Sequence, residues 1–248
     1  MISLKSAREI QMIREAAEVL KKIFAKVKPA VKAGVSTEEL DALAEAVIRK
    51  AGGEPAFKGY RGFPKTACIS LNEEVVHGIP GKRRLKDGDL VSFDIGAKVD
   101  GYYADAARTW GVGNLDENKK KLIETARGAF QAGLAAYRPG CRIGDLSAAI
   151  QTFIEAEGYQ VVRDYVGHGI GRALHEDPQV PNYGRPGQGP KIEAGLVLAI
   201  EPMVTEGNYQ VETLEDHWTV VTKDRKLSSH YEDTLVFTEK SYINLTGE

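Results

Sequence analysis

The sequence contains few cysteines, no excess of either charge and no long apolar run. Only Cys68 and Cys141 occur in 248 residues, so no disulfide framework and no CxxC pair is present, in agreement with a reducing compartment. Lys and Arg number 33 against 35 Asp and Glu, which leaves no electrostatic footprint for nucleic acid or an anionic membrane. No apolar run approaches the roughly 18 residues of a membrane span, and Lys5 and Arg8 interrupt any signal-like core. We therefore expect a cytoplasmic protein that acts on a small molecule or a peptide.

The composition is that of an ordinary globular protein. Hydrophobic residues make up 42% and charged residues 27%, which excludes the disordered and fibrous classes. Glycine is the one abundant residue, with 26 in the chain, above the roughly 7% that is usual. Many tight turns or close backbone approaches are implied.

An internal repeat organises the chain. Shifting the sequence on itself by 106 residues aligns two halves without a gap, and apolar residues at helical spacing precede each matched block. Each half is therefore predicted to begin with two amphipathic helices. The aligned pairs are Gly34 with Gly140, Leu40 with Leu146, Ala42 with Ala148, Ile48 with Ile154 and Gly52 with Gly158.

Residue types at the helix ends support this prediction. Ser6 and Ser36 are each followed three residues later by a glutamate, the pattern of a capping box. Gly52 and Gly158 suit the C-terminal ends of the second helix in each half.

The repeat continues into strand patterns with a shift of 107, which makes Asp94 and Glu201 counterparts at the ends of apolar segments. A single period of half the chain predicts two similar α+β halves, at about 7–112 and 113–238, with antiparallel-rich sheets. We expect residues 1–248 to form one domain with its site between the halves. Further strands are predicted at 66–71, 102–112, 161–166, 217–222 and 229–238.

A predicted hairpin brings two aspartates together. If Asp100 and Gly101 form a two-residue loop, opposed residues have numbers that sum to 201, so Asp94 and Asp105 share one sheet face as diagonal neighbours. Either aspartate alone would more often be an ordinary surface residue. Their shared face and apolar surroundings favour a site for a cation, which would neutralise two repelling charges.

The second half supplies further candidate ligands. His168 lies in a glycine-rich segment, Glu201 follows an apolar strand, and Glu232 lies within a predicted strand. His168 could equally be a hydrogen-bonded loop residue and Glu232 a surface strand residue, and spacing alone does not choose. A GxGxxG motif is absent from this segment, so a dinucleotide-binding loop is not supported.

At these residues the chain resembles the type I methionine aminopeptidases, within the pita-bread family of metallopeptidases. The resemblance spans nearly the whole length, and its motifs are specific. They are Asn72-Glu-Glu-Val-Val-His77-Gly-Ile-Pro80, Asp94-Ile-Gly with Asp105, Gly167-His168-Gly-Ile-Gly171, His175-Glu-Asp-Pro178, Ala199-Ile-Glu201-Pro-Met203 and Tyr231-Glu232.

The resemblance implies a pita-bread fold and a hydrolase that removes N-terminal methionine, preferring a small second residue. It implies two divalent metal ions, of Co, Mn, Fe or Zn, which would activate water and receive the substrate's α-amine. Asp94 and Glu232 would bridge the ions, with Asp105 on one ion and His168 and Glu201 on the other.

The resemblance also assigns roles around the metal site. Glu201 would transfer the proton between water and the leaving amine, His175 would stabilise the oxyanion, and His77 would contact the substrate amide; either histidine could instead be an ordinary loop residue. A methionine pocket would be formed by Phe57, Tyr60, Phe63, Cys68, Leu174 and Trp218. Residues of this kind more often form a core, so this pocket depends on the resemblance.

The chain departs from the family pattern at two positions. Leu174 stands where the family often has a larger aromatic residue, and Asp233 stands where it usually has histidine. The first departure concerns the width of the methionine pocket. The second concerns the surroundings of Glu232, and Asp233 is not expected to bind metal.

Two alternative functions are compatible with these motifs or with this fold. The first is a related X-Pro aminopeptidase or prolidase-like enzyme, although those generally carry an additional N-terminal domain. The second is a metal-free pita-bread module that binds ribosomes or nascent chains, whose mark would be loss of ligands. We expect a monomer that acts on peptide or nascent-chain N-termini, with at most transient ribosome association.

Overall fold

A computed structural model describes residues 2–247, which contain four α-helices and fifteen strands. The helices are α1 Ala7–Val27, α2 Thr37–Lys50, α3 Glu117–Ala135 and α4 Ile143–Ala156. The strands are β1 Glu54–Pro55, β2 Ala67–Leu71, β3 Glu74–Val76, β4 Leu90–Val99, β5 Tyr102–Gly111, β6 Gln160–Val161, β7 Gly167–Gly169, β8 Glu176–Val180, β9 Val197–Ile200, β10 Met203–Thr205, β11 Val211–Thr213, β12 Val220–Thr222, β13 Ser228–His230, β14 Asp233–Phe237 and β15 Tyr242–Asn244. None of the helices within residues 2–247 combines the length and apolar character needed to cross a membrane.

The starts of α1 and α2 and the ends of α2 and α4 lie where the sequence predicts. The side chain of Ser6 accepts a hydrogen bond from the third residue of α1, and that residue, Glu9, accepts one from the Ser6 backbone. Ser36 makes the same pair of bonds at the start of α2. Gly52 and Gly158 follow α2 and α4 with φ of 78° and 87°, the left-handed conformation that glycine adopts at little cost. The prediction of two helices in each half is confirmed.

Every strand pairing among the described residues is antiparallel, in four sheets. In the first half, β4 pairs with β1, β2 and β5, and in the second half the order is β15-β14-β9-β7-β8. Two smaller sheets, β13-β10-β6 and β11-β12-β3, complete the set. The β4–β5 hairpin has the predicted register, with Asp94 opposite Ala107 and Gly96 opposite Asp105.

Each half packs its own helices on its own strands. Helix α1 packs on β4 and β5, and α3 packs against β10 and β13. Separate apolar cores result, one around Leu20, Ile69 and Phe93 and the other around Phe130 and Leu198. The predicted fold class, α+β in two similar halves, is confirmed.

Three strand predictions were wrong in their limits. Only residues 160–161 of the segment after α4 form a strand, because beyond Val162 the chain leaves its partner β10. The strand predicted at 217–222 begins at Val220, after a turn that Asp216 holds through the backbone of Trp218. The strand predicted at 229–238 is divided into β13 and β14 because Glu232 pairs with Ala107 in the other half.

Glu45 connects α2 to the segment that leads into β2. Its Oε1 accepts two hydrogen bonds from Arg49, at 3.0 and 3.1 Å, and its Oε2 accepts from Lys58 at 2.8 Å and Thr66 at 3.0 Å. These donors, Lys58 first, lower the pKa of Glu45 from 4.5 to about 2. The charged carboxylate therefore stabilises the fold fully above pH 4.5, and that contribution is lost as the pH falls towards 2.

We expect Glu45→Gln to lower the free energy of unfolding at pH 7 by about 1 kcal/mol, because three partners lose a charged acceptor. The difference from wild type should shrink between pH 4.5 and pH 2, as measured by urea unfolding. Glu18→Gln, which removes only an exposed pair with Lys21, is the control and should change little. A difference that stays constant with pH would contradict this assignment.

Candidate active site

The β4–β5 hairpin places two carboxylates at the junction of the halves. Asp94 and Asp105 lie on the same face, and burial together with the charge of Asp105 raises the pKa of Asp94 far above its usual range. The backbone of Asp105 is fixed by Thr234 of the second half, whose hydroxyl lies 3.0 Å from the Asp105 N and 2.7 Å from its O. The hairpin is therefore fixed to the strand that follows Glu232.

His168 lies on β7, between β8 and β9. A Cβ atom on Gly167 or Gly169 would overlap the carbonyl groups of Ala199 or Asp177, so the flanking glycines permit close strand packing and do not form a turn. The His168 Nδ1 lies 2.9 Å from the Gly169 carbonyl, to which it can only donate. The lone pair of the neutral ring is then on Nε2.

The Nε2 of His168 lies close to two of the other candidate ligands. It is 3.9 Å from Asp105 Oδ2 and 3.6 Å from Glu201 Oε1. Burial lowers the pKa of His168 to about 3, so the ring is neutral near pH 7 and makes no ion pair with either carboxylate. An uncharged imidazole with a free Nε2 is the form that binds metal.

Glu201 and Glu232 complete the group from separate strands. Glu201 follows β9, and its backbone carbonyl accepts a bond of 3.0 Å from Asn182. Glu232 lies between β13 and β14, and its backbone N and O both bond to Ala107 of β5. Ligand atoms of Asp105, His168 and Glu232 all lie within 4.8 Å of one another.

This group has the chemistry of a divalent metal site. Asp94 Oδ1, Asp105 Oδ1 and Glu232 Oε1 are buried and accept no hydrogen bond within residues 2–247. Burial raises the pKa of all four carboxyl groups, of Asp105 to about 7, and their mutual repulsion raises those of Asp94, Glu201 and Glu232 further. A hard divalent cation bound between these oxygens would compensate their charge and take the place of the missing hydrogen-bond donors.

The same side chains contribute to the lining of a cavity of about 350 Å³. Cys68 lies opposite Asp94 in the β2–β4 pairing, so the apolar wall begins directly beside the carboxylates. Burial raises the pKa of the Cys68 thiol well above its usual range, so it stays protonated. All six residues predicted for the methionine pocket line this cavity, namely Phe57, Tyr60, Phe63, Cys68, Leu174 and Trp218.

Both predicted histidines outside the ligand group also line the cavity. His175 is exposed there, with Nδ1 2.9 Å from the Tyr60 hydroxyl and its ring centroid 4.2 Å from that of His168. His77 lies against Tyr165 in a left-handed conformation with φ of 60°, and burial lowers its pKa to about 4. Both rings are neutral hydrogen-bonding groups near pH 7, since the pKa of His175 is also lowered, by partial desolvation of its ring within the cavity and by the nearby charge of Arg61.

Sequence reasoning missed several residues around the site. His230 is buried with its Nε2 4.0 Å from Glu201 Oε2, and the alternation of a strand could have placed it on the face of Glu232, two residues later. The buried Lys5–Glu176 ion pair, at 2.6 Å, supports the segment that carries His175, and no local pattern joins residues so far apart. Further cavity-lining residues that were not predicted are Arg61, Val76, Asp164, Tyr165, Val166 and Gln179.

Comparison with known proteins agrees with this geometry. Residues 11–239 match the sequence pattern of metallopeptidase family M24. Methionine aminopeptidase 1 of Bacillus subtilis is 50% identical over 246 residues, 99% of each chain. A methionine aminopeptidase structure from Thermotoga maritima has a TM-score of 0.98 and 43% identity, with all of both chains covered.

A prolidase from Pyrococcus furiosus has the same pita-bread fold with a TM-score of 0.81 and 25% identity, and the match covers 99% of this chain but 65% of the prolidase. The greater identity and the complete coverage lie with the methionine aminopeptidases. A buried group of carboxylates and one imidazole that suits a divalent metal is what a metallopeptidase requires. The chain belongs to metallopeptidase family M24, among its type I methionine aminopeptidases.

Proposed function

We propose that this enzyme removes the N-terminal methionine from peptides and nascent proteins, with a preference for a small second residue. The observation that carries the proposal is one cavity lined both by the candidate metal-binding groups and by apolar side chains. A substrate whose methionine side chain lies on those apolar side chains would present its first peptide bond to the metal-binding groups.

The five residues Asp94, Asp105, His168, Glu201 and Glu232 would hold two divalent ions, of Mn, Fe, Co or Zn. Support comes from three buried carboxylate oxygens that have no hydrogen-bond partner in the described part of the chain, residues 2–247, and from the lone pair on the Nε2 of His168. When bound, such ions activate a water molecule, polarise the scissile carbonyl and receive the neutral α-amine of the substrate.

Glu201 would transfer the proton. Burial and the nearby charge of Asp105 raise its pKa well above the usual range, and a carboxyl group is a common agent of proton transfer in enzymes. Its Oε1 lies 3.6 Å from the His168 Nε2 and would therefore lie beside a metal ion bound to that nitrogen. A carboxyl group in this place can accept a proton from water and donate it to the leaving amine.

The two neutral histidines would bind the reacting amide. If the Tyr60 hydroxyl donates to the Nδ1 of His175, the ring proton lies on Nε2, which can donate to a developing oxyanion. His77 would bond to the substrate amide and remains uncharged near neutral pH. Each contributes a hydrogen bond without adding charge to the site.

The wall of the cavity would select methionine. Phe63 and Trp218 pack edge to face, with ring centroids 5.1 Å apart, and Cys68 adds a neutral thiol. An unbranched thioether fits such a wall and gains sulfur–aromatic contacts. Leu174 is 2% exposed and leaves more room than an aromatic residue would.

The whole chain would act as one catalytic domain, because residues from both halves line the cavity. We further propose a monomer in the cytoplasm that meets its substrates as they leave the ribosome, with transient ribosome association at most. The net charge of −2 provides no strong electrostatic attraction to ribosomal RNA, which supports transient association at most, and the presence of only two cysteines agrees with a reducing compartment.

Turnover of defined peptides tests the function. We expect Mn²⁺-dependent release of methionine from Met-Ala-Ser, slower release from Met-Leu-Ser, and little cleavage of an Ala-Pro peptide. A chelator should abolish turnover, and Mn²⁺ should restore it. Preferred cleavage of the X-Pro peptide would favour a prolidase-like enzyme, and no turnover despite bound Mn²⁺ would favour a binding module.

His175→Ala should lower kcat by about 10²–10³-fold and change KM much less, because a donor to the oxyanion acts mainly in the transition state. Tyr60→Phe, which removes only the hydroxyl that orients the ring, should lower kcat by a smaller factor. Metal content, measured by elemental analysis, should stay at the wild-type value. Undiminished kcat in His175→Ala would remove this residue from the mechanism.

Calorimetric titration of Mn²⁺ into metal-free variants tests the two-ion arrangement. Asp94→Asn should weaken both binding events, because a neutral amide replaces a bridging carboxylate, whereas Asp105→Asn should weaken mainly one. Asp164→Asn, an exposed carboxylate that also lines the cavity, is the control and should bind two ions as wild type does. Equal effects of the first two variants would contradict the bridging role.

A further inference from the structure

Arg108 is a buried cation close to the metal-binding groups but on the other side of the sheet. It lies on β5 three residues after Asp105, so its side chain leaves the opposite face of the strand. The guanidinium carbon lies 5.0 Å from the ring centroid of Phe24 and 4.3 Å from that of Tyr231, and the side chain is 4% exposed. Arg108 therefore occupies a closed space between α1 and the segment that carries Glu232.

The guanidinium group bonds to both halves of the molecule. Its Nη1 donates to the carbonyl of Ala107, at 2.9 Å, and to that of Glu232, at 2.6 Å. Its Nη2 donates to Asp233 Oδ1, at 2.7 Å, and to the Thr246 carbonyl, at 3.3 Å. One planar group thus joins β5 to the backbone carbonyl of Glu232 and to the side chain of the next residue, Asp233.

Asp233 makes this arrangement possible. Its carboxylate is completely buried, and in addition to Arg108 it accepts bonds from Thr246 Oγ1 at 2.6 Å, Asn244 Nδ2 at 2.8 Å and the Tyr231 hydroxyl at 3.3 Å. Both oxygens are therefore occupied on the side away from the cavity. The Asp233 carboxylate therefore neutralises Arg108 and is not available as a metal ligand.

The contacts fix the backbone of Glu232 but leave its carboxylate free. Glu232 N donates to Ala107 O and Glu232 O accepts from Ala107 N and from Arg108, while Glu232 Oε1 has no partner within residues 2–247. The attraction within a buried ion pair is largely offset by the cost of desolvating both charges. Stability alone therefore does not explain why Arg108 and Asp233 are paired here. Replacing a residue that orients a metal ligand commonly weakens the binding of the metal.

We propose that Arg108, neutralised by Asp233, is a positioning residue that fixes Glu232 against the β4–β5 hairpin in the geometry that binds metal. The proposal rests on the proposed metal-dependent function. Arg108 would not touch substrate or metal, and it would act only through the backbone of Ala107 and Glu232.

The test is calorimetric titration of Mn²⁺ into metal-free Arg108→Lys and Asp233→Asn. Lysine keeps the charge but carries only three donors on a single nitrogen, so it cannot reproduce the four bonds that Arg108 makes from Nη1 and Nη2, and asparagine keeps the shape but removes the counter-charge. We expect Mn²⁺ affinity to fall by about 10–100-fold in each. Activity on Met-Ala-Ser should fall at limiting Mn²⁺ and recover largely in excess Mn²⁺.

Ile150→Ala is the control for a general loss of stability. Ile150 is completely buried between α3 and α4, away from the cavity, so its truncation should lower the melting temperature without changing Mn²⁺ affinity. All variants are compared at a temperature at which circular dichroism shows them folded. If Arg108→Lys does not fold, Asp233→Asn alone decides the result.

Wild-type Mn²⁺ affinity in the folded variants, with only a lower melting temperature as in Ile150→Ala, would overturn the proposal. The wild-type protein separates this outcome from failure of the proposed function. If wild type binds Mn²⁺ and cleaves Met-Ala-Ser while the variants bind as tightly, only the positioning role is wrong. If wild type itself shows no Mn²⁺-dependent turnover, the proposed function is wrong.

Discussion

The mutual repulsion of four buried carboxylates at the junction of two similar halves is the constraint on which the rest of this structure depends. Asp94 and Asp105 come from the first half, and Glu201 and Glu232 from the second. Each pKa is raised by burial, so the group opposes the association of the halves whenever its charges are not neutralised. The backbone and the cores must hold it in place despite that cost.

Hydrogen bonds of the main chain do most to hold these carboxylates in place. Glu232 bonds to Ala107 through both its N and O, and Thr234 bonds to both backbone groups of Asp105, so the hairpin and the strand before β14 are held together directly. None of these bonds uses a carboxylate oxygen of the group. The buried cation Arg108 is likewise bonded to backbone carbonyls and to Asp233, which leaves the ligand oxygens free.

Much of this arrangement could be predicted from sequence because it follows from short-range periodicity. A two-residue loop and the alternation of strand side chains fix the register of the β4–β5 hairpin, so Asp94 and Asp105 could be placed on one face by arithmetic alone. Capping patterns located the starts of α1 and α2 in the same way. The grouping of all five ligands drew on the internal repeat and on family resemblance, since spacing could not join distant segments.

What could not be predicted depends on contacts between the halves. The break between β13 and β14 exists because Glu232 pairs with Ala107, 125 residues earlier in the chain, and nothing near position 232 signals it. The glycines beside His168 were equally compatible with a loop that binds no ligand, and only the carbonyls of β8 and β9 that pack against them explain why glycine is needed there. The ion pair between Arg108 and Asp233 could not be predicted either, because it also joins residues from different halves.

Because the proposed ligands come from both halves, metal binding and the association of the halves would be thermodynamically linked. An ion that binds only the assembled group stabilises the assembled state by mass action, and by reciprocity the association of the halves favours metal binding by the same factor as metal binding favours association. Bonds such as those of Thr234 to Asp105 therefore affect the metal site without touching it. The proposed methionine-binding wall is joined to the proposed ligands through the same sheet, since Cys68 lies opposite Asp94 in the pairing of β2 with β4.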